Sequence, residues 1–143
     1  MNPHFPSEIE SLRKLPLQQL AALALETKLA RRGDRFAFCS IINAKSGRCS
    51  EDCRFCAQSG HYRTESPVYP LKDTAEIVAA ARRAQENGAE HFSIVTSGRG
   101  LSTADLARVA EIVHELTHRV DIKICASLGI LDLPALRRLK EAG

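Results

Sequence analysis

Three cysteines lie close together in one stretch of the chain, at Cys49, Cys53 and Cys56. Their spacing, C-x3-C-x2-C, lets a single loop present three thiolates to a metal centre. Three thiolates can hold three irons of a cubane 4Fe–4S cluster and leave the fourth iron without a protein ligand. An open iron is what a catalytic cluster needs, whereas an electron carrier normally supplies a fourth cysteine. The spacing therefore predicts a catalytic 4Fe–4S cluster.

A zinc knuckle is the alternative for the same loop, with His61 as the fourth ligand in the pattern C-x3-C-x2-C-x4-H. Zinc takes four tetrahedral ligands, but structural zinc sites more usually show two paired hooks. A disulfide scaffold is disfavoured because the five cysteines are odd in number and no secretory signal pattern opens the sequence. Clustered thiols in a reducing compartment favour metal binding.

The composition is that of an ordinary globular chain. Its 143 residues are 44% hydrophobic and 26% charged, which leaves room for about one domain. The 20 basic and 17 acidic residues give a net charge of +3, too small an excess to indicate nucleic acid as a partner. No apolar run reaches the roughly 18 residues of a membrane span. We expect a cytoplasmic protein that binds neither nucleic acid nor a membrane.

Apolar periodicity predicts the elements that must position the cysteine loop. The first 33 residues predict helices, and residues 35–43 predict a buried strand. Residues 44–70 lose all periodicity, and a structureless stretch of this length inside a domain is usually functional. The remaining elements are a helix after Asp73, a strand at 91–96, a helix after Ser102, a strand at 120–126 and a helix after Asp132.

Alternating strands and helices predict an α/β fold with parallel strands and right-handed crossovers. Its cysteine loop would follow the first strand, at the sheet edge where βα architectures place their chemistry. A complete eight-fold βα barrel needs about 250 residues. We therefore predict a partial, truncated TIM-type βα barrel at residues 35–143, with three βα units, preceded by a helical leader at residues 1–34.

The longer run around the cysteines resembles a known family. An aromatic residue directly before the last cysteine, here Phe55, is typical of the radical S-adenosylmethionine (SAM) superfamily. The run CSIINAKSGRCSEDCRFCAQS, residues 39–59, closely resembles the cluster loop of the biotin synthase family. The similarity continues through VTSG at 95–98 and CASLG at 125–129. It covers residues 17–143 and corresponds to the N-terminal portion of such an enzyme.

The resemblance implies a cofactor role for the loop. Cys49, Cys53 and Cys56 would hold the 4Fe–4S cluster, and the amino and carboxylate groups of SAM would chelate its open iron. Electron transfer from the reduced cluster would cleave the sulfonium C–S bond and give a 5′-deoxyadenosyl radical. Phe55 would lie against adenine, with packing between loop and barrel as the alternative.

The resemblance also implies a SAM-binding turn after the second strand. Thr96, Ser97 and Gly98 would meet the methionyl end of SAM. The alternative for Ser97 and Gly98 is a simple turn before a helix. Lys45 and Arg48 are interpreted as solvated loop charges without an assigned role.

Biotin synthases insert sulfur into dethiobiotin from an auxiliary iron–sulfur cluster, and this sequence departs from that pattern. Cys125 matches an auxiliary ligand, and the alternation over residues 120–124 places it in the barrel lumen. The partner position on the second strand is Ser93, not cysteine. Our hypothesis is that Cys39 and Cys125 bind a different auxiliary cluster. The alternative is that both are small buried hydrophobes.

Three functions remain open at this point. The first is a biotin synthase-like sulfurtransferase, with dethiobiotin as substrate, flavodoxin or ferredoxin as electron donor and a homodimer as one expected assembly. The second is a related radical SAM enzyme without sulfur insertion, for example in cofactor maturation. The third is a non-catalytic iron–sulfur or zinc-binding fragment. Because part of a barrel cannot enclose substrate, we expect the 143-residue chain alone to form biotin slowly or not at all.

Overall fold

A computed structural model describes residues 5–143 and divides the chain into two compact units, Met1–Phe36 and Ala37–Gly143. Residues 1–4 of the predicted leader lie outside the described part. The first unit holds two helices, α1 (Phe5–Arg13) and α2 (Leu17–Arg32). Every residue of α2 keeps some solvent exposure. Within residues 5–143, no helix is both long and apolar enough to cross a membrane.

Three strand–helix pairs make up the second unit, in the predicted order. They are β1 (Cys39–Lys45), α3 (Thr74–Glu86), β2 (His91–Thr96), α4 (Thr103–Arg119), β3 (Lys123–Ser127) and α5 (Leu133–Ala142). The strands form one parallel sheet in the order β1-β2-β3. Because parallel strands need crossover connections, the helices between them run back along the sheet.

The two faces of the sheet differ sharply in burial. Phe92 and Ile94 of β2 are buried on the face that packs against the helices, together with Ile77 of α3 and Ile112 of α4. On the opposite face, Ile41 is 65% exposed. This alternation has period two, as expected for strands. The core therefore lies between one face of the sheet and its helices.

Local signals place the helix ends where the sequence predicts them. The side chain of Ser102 accepts a hydrogen bond from the Asp105 amide at 3.1 Å, and Asp132 accepts one from the Ala135 amide at 2.9 Å. Each bond satisfies an amide of the first helical turn, which has no partner within the helix. These caps set the start of α4 and α5, directly after the carboxyl ends of β2 and β3.

The strand predicted at residues 35–43 is shifted in the structure. Pairing with β2 begins at Cys39, which lies level with His91, and continues to Lys45. Phe36 and Phe38 stay exposed before the strand, although their apolar character had suggested burial. Hydrogen bonding explains the difference. The Phe38 carbonyl accepts the amides of both Glu90 and His91, so the regular pairing between β1 and β2 starts only after Phe38. The third strand is likewise Lys123–Ser127, not 120–126.

Two glycines join the loops that follow β2 and β3. The Ile130 amide donates to the Arg99 carbonyl at 2.7 Å. A Cβ on Gly100 would lie 2.5 Å from the Ile130 carbonyl oxygen, and a Cβ on Gly129 would overlap the Arg99 carbonyl. Gly129 also has φ = 78°, a conformation that favours glycine. The two loops therefore touch through their backbones at the carboxyl edge of the sheet.

Candidate metal centre

The three clustered cysteines lie on the loop between β1 and α3, at the carboxyl end of the parallel sheet. Reciprocal hydrogen bonds between the amides and carbonyls of Ser46 and Tyr69, both 3.1 Å, close the base of this loop. The Tyr69 hydroxyl also donates to the Asn43 carbonyl at 2.9 Å. Gly47 starts the excursion with φ = 81°, and a Cβ there would lie 2.5 Å from Val68. The loop is thus anchored to the sheet edge where βα folds carry their active sites.

The three thiols are partly accessible and their backbone is held in place. The Cys49 amide donates to the Gln58 carbonyl at 3.0 Å, and its carbonyl accepts the Gly60 amide at 2.7 Å. The Cys56 amide donates to the Cys53 carbonyl at 2.9 Å, which makes a tight turn between these two residues. Cys49 and Cys56 are half-buried, and Cys53 is exposed. All three are free cysteines, so their sulfurs are available as soft ligands.

The spacer between the first two cysteines, residues 50–52, is held by side chains from residues 59–62. The buried Ser59 hydroxyl donates to the Glu51 carbonyl at 2.7 Å. The His61 Nε2 lies 3.0 Å from the Ser50 carbonyl oxygen, and the Tyr62 hydroxyl donates to the Asp52 carboxylate. That bond to Asp52 raises the pKa of Tyr62 above its ordinary value. These contacts leave no signal in the sequence, because the loop has no periodic pattern.

The positions of the donor side chains argue against the zinc alternative. Across the described residues 5–143, no group of three or more His, Cys, Asp or Glu side chains is arranged to hold a metal ion. Zinc would need four donors around one ion. His61, the fourth ligand of that alternative, directs Nε2 to the Ser50 carbonyl instead. In a cubane each thiolate binds a different iron, so three sulfurs need not converge on one ion. The donor set fits a cluster better than zinc.

Unsatisfied polar atoms lie beside the cysteine loop. Asn43 Oδ1, Ser46 Oγ and Thr96 Oγ1 are buried and have no hydrogen-bond partner among the described residues. A buried polar atom without a partner costs about 1–3 kcal/mol, so such groups usually serve a ligand or an ordered water. All three occur where β1 and β2 end. They fit a polar ligand bound next to the loop.

The turn at Thr96, Ser97 and Gly98 connects the cysteine loop to β2. The Ser97 amide donates to the Lys45 carbonyl at 2.9 Å, and its hydroxyl donates to the Gly47 carbonyl at 2.9 Å. Both Thr96 and Ser97 are buried, and Gly98 has φ = 114°. The predicted SAM-binding turn is thus bonded directly to the base of the loop that carries the cysteines.

Phe55 stands on the outer surface of the loop. Its side chain is 95% exposed. The alternative of packing between loop and barrel is therefore wrong for this structure, because such packing would bury the ring. An exposed ring beside the cysteines keeps its apolar face available to a ligand.

Lys45 is not the solvated charge that the sequence suggested. Its ammonium lies 2.7 Å from the Asp105 carboxylate, and the two side chains are only 30% and 19% exposed. Lys45 holds the pKa of Asp105 below its ordinary value, mainly through this hydrogen bond. The topology offered a signal, since the end of β1 lies beside the end of β2, where α4 begins. Arg48 does remain exposed.

The lumen-side residues occupy the open face of the sheet. Cys125 lies level with Ser93 of β2, and Ser93 lies level with Ile41 of β1. Cys39 lies level with His91, two residues earlier along the sheet. Both Cys39 and Cys125 are exposed, so the interpretation as buried hydrophobes is wrong for this structure. A group held by both cysteines would have to reach across β2.

A comparison with protein families decides the affiliation. The model of the radical SAM superfamily matches residues 44–143. The chain belongs to the radical SAM superfamily. Membership implies a 4Fe–4S cluster and S-adenosylmethionine as cofactors. The match begins at Ala44 and includes the cysteine loop, both later strands and their helices.

Individual proteins similar to this chain are biotin synthases. Biotin synthase of Pelotomaculum thermopropionicum is 51% identical over 127 residues, which cover 89% of this chain and 40% of the relative. Biotin synthase of Heliobacterium modesticaldum is 54% identical over 105 residues, covering 73% and 32%. The chain therefore spans about two fifths or less of the length of these curated relatives.

A solved structure supports the architecture of this radical SAM chain. Methylornithine synthase matches with a TM-score of 0.79 at 20% sequence identity. The match covers 96% of this chain and 41% of the solved one. At this identity the likeness shows the fold alone. It confirms the predicted α/β class and the partial βα barrel.

Proposed function

We propose that the chain is the cluster-binding part of a biotin synthase-like radical SAM enzyme, which inserts sulfur into dethiobiotin to form biotin. The supporting observation is the C-x3-C-x2-C loop at the carboxyl end of β1, in a chain 51% identical to a biotin synthase over 127 residues. Cys49, Cys53 and Cys56 are the proposed cluster ligands. The bound cluster and SAM would supply an organic radical that removes hydrogen from unactivated carbon.

The chain's own residues would orient the cysteine loop, bind polar groups of the ligands and shield the radical from water. Ser97 bonds the base of the cysteine loop through its amide and its hydroxyl, and thereby fixes the distance between loop and turn. The unpartnered Asn43, Ser46 and Thr96 atoms would receive polar groups of SAM or of the substrate. Phe55 would cover the adenine ring and exclude water from it, which protects a reactive radical.

An auxiliary iron–sulfur group, bound by Cys125 and Cys39, is our proposal for the sulfur source. Both thiols are exposed on the open face of the sheet. Ser93, level with Cys125, favours the second candidate function, a radical SAM enzyme that does not insert sulfur. Iron bound by a chain in which Cys49, Cys53 and Cys56 are all alanine would separate the two. Residual iron that disappears on Cys125→Ser supports the auxiliary group, and no residual iron favours the second candidate.

We also propose partners and a compartment for this chain. The substrate would be dethiobiotin, the electron donor flavodoxin or ferredoxin, and the assembly a homodimer. The proposed thiolate ligands work only when reduced, so the cytoplasm is the compartment we propose.

Anaerobic reconstitution with iron and sulfide tests the cluster assignment. We expect the wild-type chain to bind about four irons on the loop, and SAM to change the electron paramagnetic resonance spectrum of the reduced cluster. Cys53→Ser should abolish that spectrum, because it removes one of three ligands. Cys39→Ser is the matched control and should retain it. One zinc per chain, with no response to SAM, would contradict the proposal.

A further inference from the structure

Residues 58–62 form a segment that we call the return arm, because the chain here runs back alongside Cys49 and the spacer after it. We infer that the return arm positions the spacer between Cys49 and Cys53 and so presets two cluster ligands before any cluster binds. This inference rests on the proposed function. Ser59, His61 and Tyr62 would be positioning residues, since none of them is proposed to touch the cluster.

The contacts of the return arm cover each residue from Cys49 to Asp52 in turn. Cys49 is held through its backbone amide and carbonyl. The next three residues are held by side chains: His61 bonds the Ser50 carbonyl, Ser59 the Glu51 carbonyl, and Tyr62 the Asp52 carboxylate.

The return arm is itself ordered, so it can serve as a template. The Ser59 side chain is only 4% exposed, and its hydroxyl oxygen accepts the His61 amide at 3.2 Å while donating to Glu51. The Ser59 amide donates to the Cys56 carbonyl at 3.2 Å, which ties the return arm to the third cysteine as well. A Cβ on Gly60 would lie 3.2 Å from the Cys49 carbonyl, so the two segments run in close contact.

Ordering the spacer in advance has a physical benefit. A loop without periodic structure loses conformational freedom when its thiols bind a cluster. A spacer already fixed by the return arm has less freedom to lose, so the cluster binds more tightly. Deleting one contact should therefore loosen the spacer in the cluster-free chain and speed the loss of iron from the loaded chain.

The two tyrosines of the chain offer a matched test. Tyr62→Phe removes a hydroxyl that bonds the spacer, whereas Tyr69→Phe removes one that bonds the end of β1. Ser59→Ala removes the buried bond to Glu51 and the bond from the His61 amide. The readouts are hydrogen exchange at the Cys49 and Gly60 amides in the cluster-free 143-residue chain, and the rate of iron loss to a chelator after reconstitution.

We expect Ser59→Ala to speed exchange at both amides about fivefold or more, because it removes two hydrogen bonds at a buried site. Tyr62→Phe should speed it about twofold, because its bond is exposed. Both variants should lose iron faster than wild type at an unchanged melting temperature, and Tyr69→Phe should match wild type at both amides. Unchanged exchange in Ser59→Ala and Tyr62→Phe, or equal acceleration in Tyr69→Phe, would overturn the inference. A wild-type chain that takes up no iron would overturn the proposed function, and the exchange rates would still decide whether the return arm orders the spacer.

Discussion

The two faces of the parallel sheet share one backbone but carry different residues. On the helix-covered face, Phe92 and Ile94 are at most 1% exposed and belong to the apolar core. On the open face, Cys39 and Cys125 are exposed and Ser93 lies between apolar and thiol neighbours. The first face buries the area that stabilises the fold. The second leaves its thiols accessible, so stability and the proposed auxiliary chemistry are assigned to opposite sides of the same strands.

Matched isoleucine substitutions on the two faces give the largest expected difference. Ile94→Ala should lower the free energy of unfolding by about 2–5 kcal/mol, because it opens a cavity in a fully buried site. Ile41→Ala, on the open face and 65% exposed, should cost less than about 1 kcal/mol. Urea denaturation of both variants measures the difference. Equal losses would mean that the open face is buried in solution and would break the comparison.

A glycine substitution tests how tightly the loops are packed at the carboxyl edge of the sheet, compared with the core. Gly129→Ala should cost about 2 kcal/mol or more, because the new Cβ overlaps the Arg99 carbonyl in addition to the strain of a positive φ. Gly88→Ala is the control, since Gly88 has nearly the same φ, 79°, with nothing within 4 Å of its Cβ. Thermal unfolding of both variants isolates the backbone contact, and identical melting temperatures would refute it.

A smaller effect is expected for the ion pair between Lys45 and Asp105, at the same edge. Asp105→Asn should destabilise the chain by about 1 kcal/mol at pH 7, because it removes a partly buried charge-assisted bond to Lys45. The pKa of Asp105 is lowered in the folded state, so its contribution is present above the ordinary carboxyl value of 3.8 and is lost as the pH falls through the lowered value. Unfolding curves of both chains should therefore converge only below about pH 4.

A matched control for the ion pair is Glu76→Gln, on α3. Glu76 pairs with Lys72, but its side chain is 54% exposed. We expect a smaller effect than that of Asp105→Asn, because solvent screens exposed pairs. Convergence of the wild-type and Asp105→Asn unfolding free energies already near pH 6 would implicate another titrating group.

Much of the fold follows from short stretches of sequence. The hydroxyl of Ser102 and the carboxylate of Asp132 cap helices within three residues, and the apolar alternation of β2 lies within the predicted strand. The cysteine spacing likewise predicts the loop and the superfamily to which it belongs. Such features can be predicted because the interacting groups are neighbours along the chain.

The rest depends on contacts between distant residues. Lys45 and Asp105 are 60 positions apart, so composition gave no sign of their pairing. The return arm was equally hidden, because a single serine or tyrosine in an irregular loop has no periodic pattern to mark it. Phe36 and Phe38 misled the prediction of β1, since apolar character does not by itself supply a strand partner.

An irregularity near the end of β1 decides on which side of the sheet a charge emerges. Asn43 is level with Val95, and Lys45, two positions later, is level with Thr96, the very next residue of β2. That extra residue reverses the alternation and sends the ammonium toward α4, not into the barrel interior. The helix-covered side thereby gains a cation at the carboxyl end of the sheet, and this cation fastens the end of β1 to the first turn of α4 through Asp105.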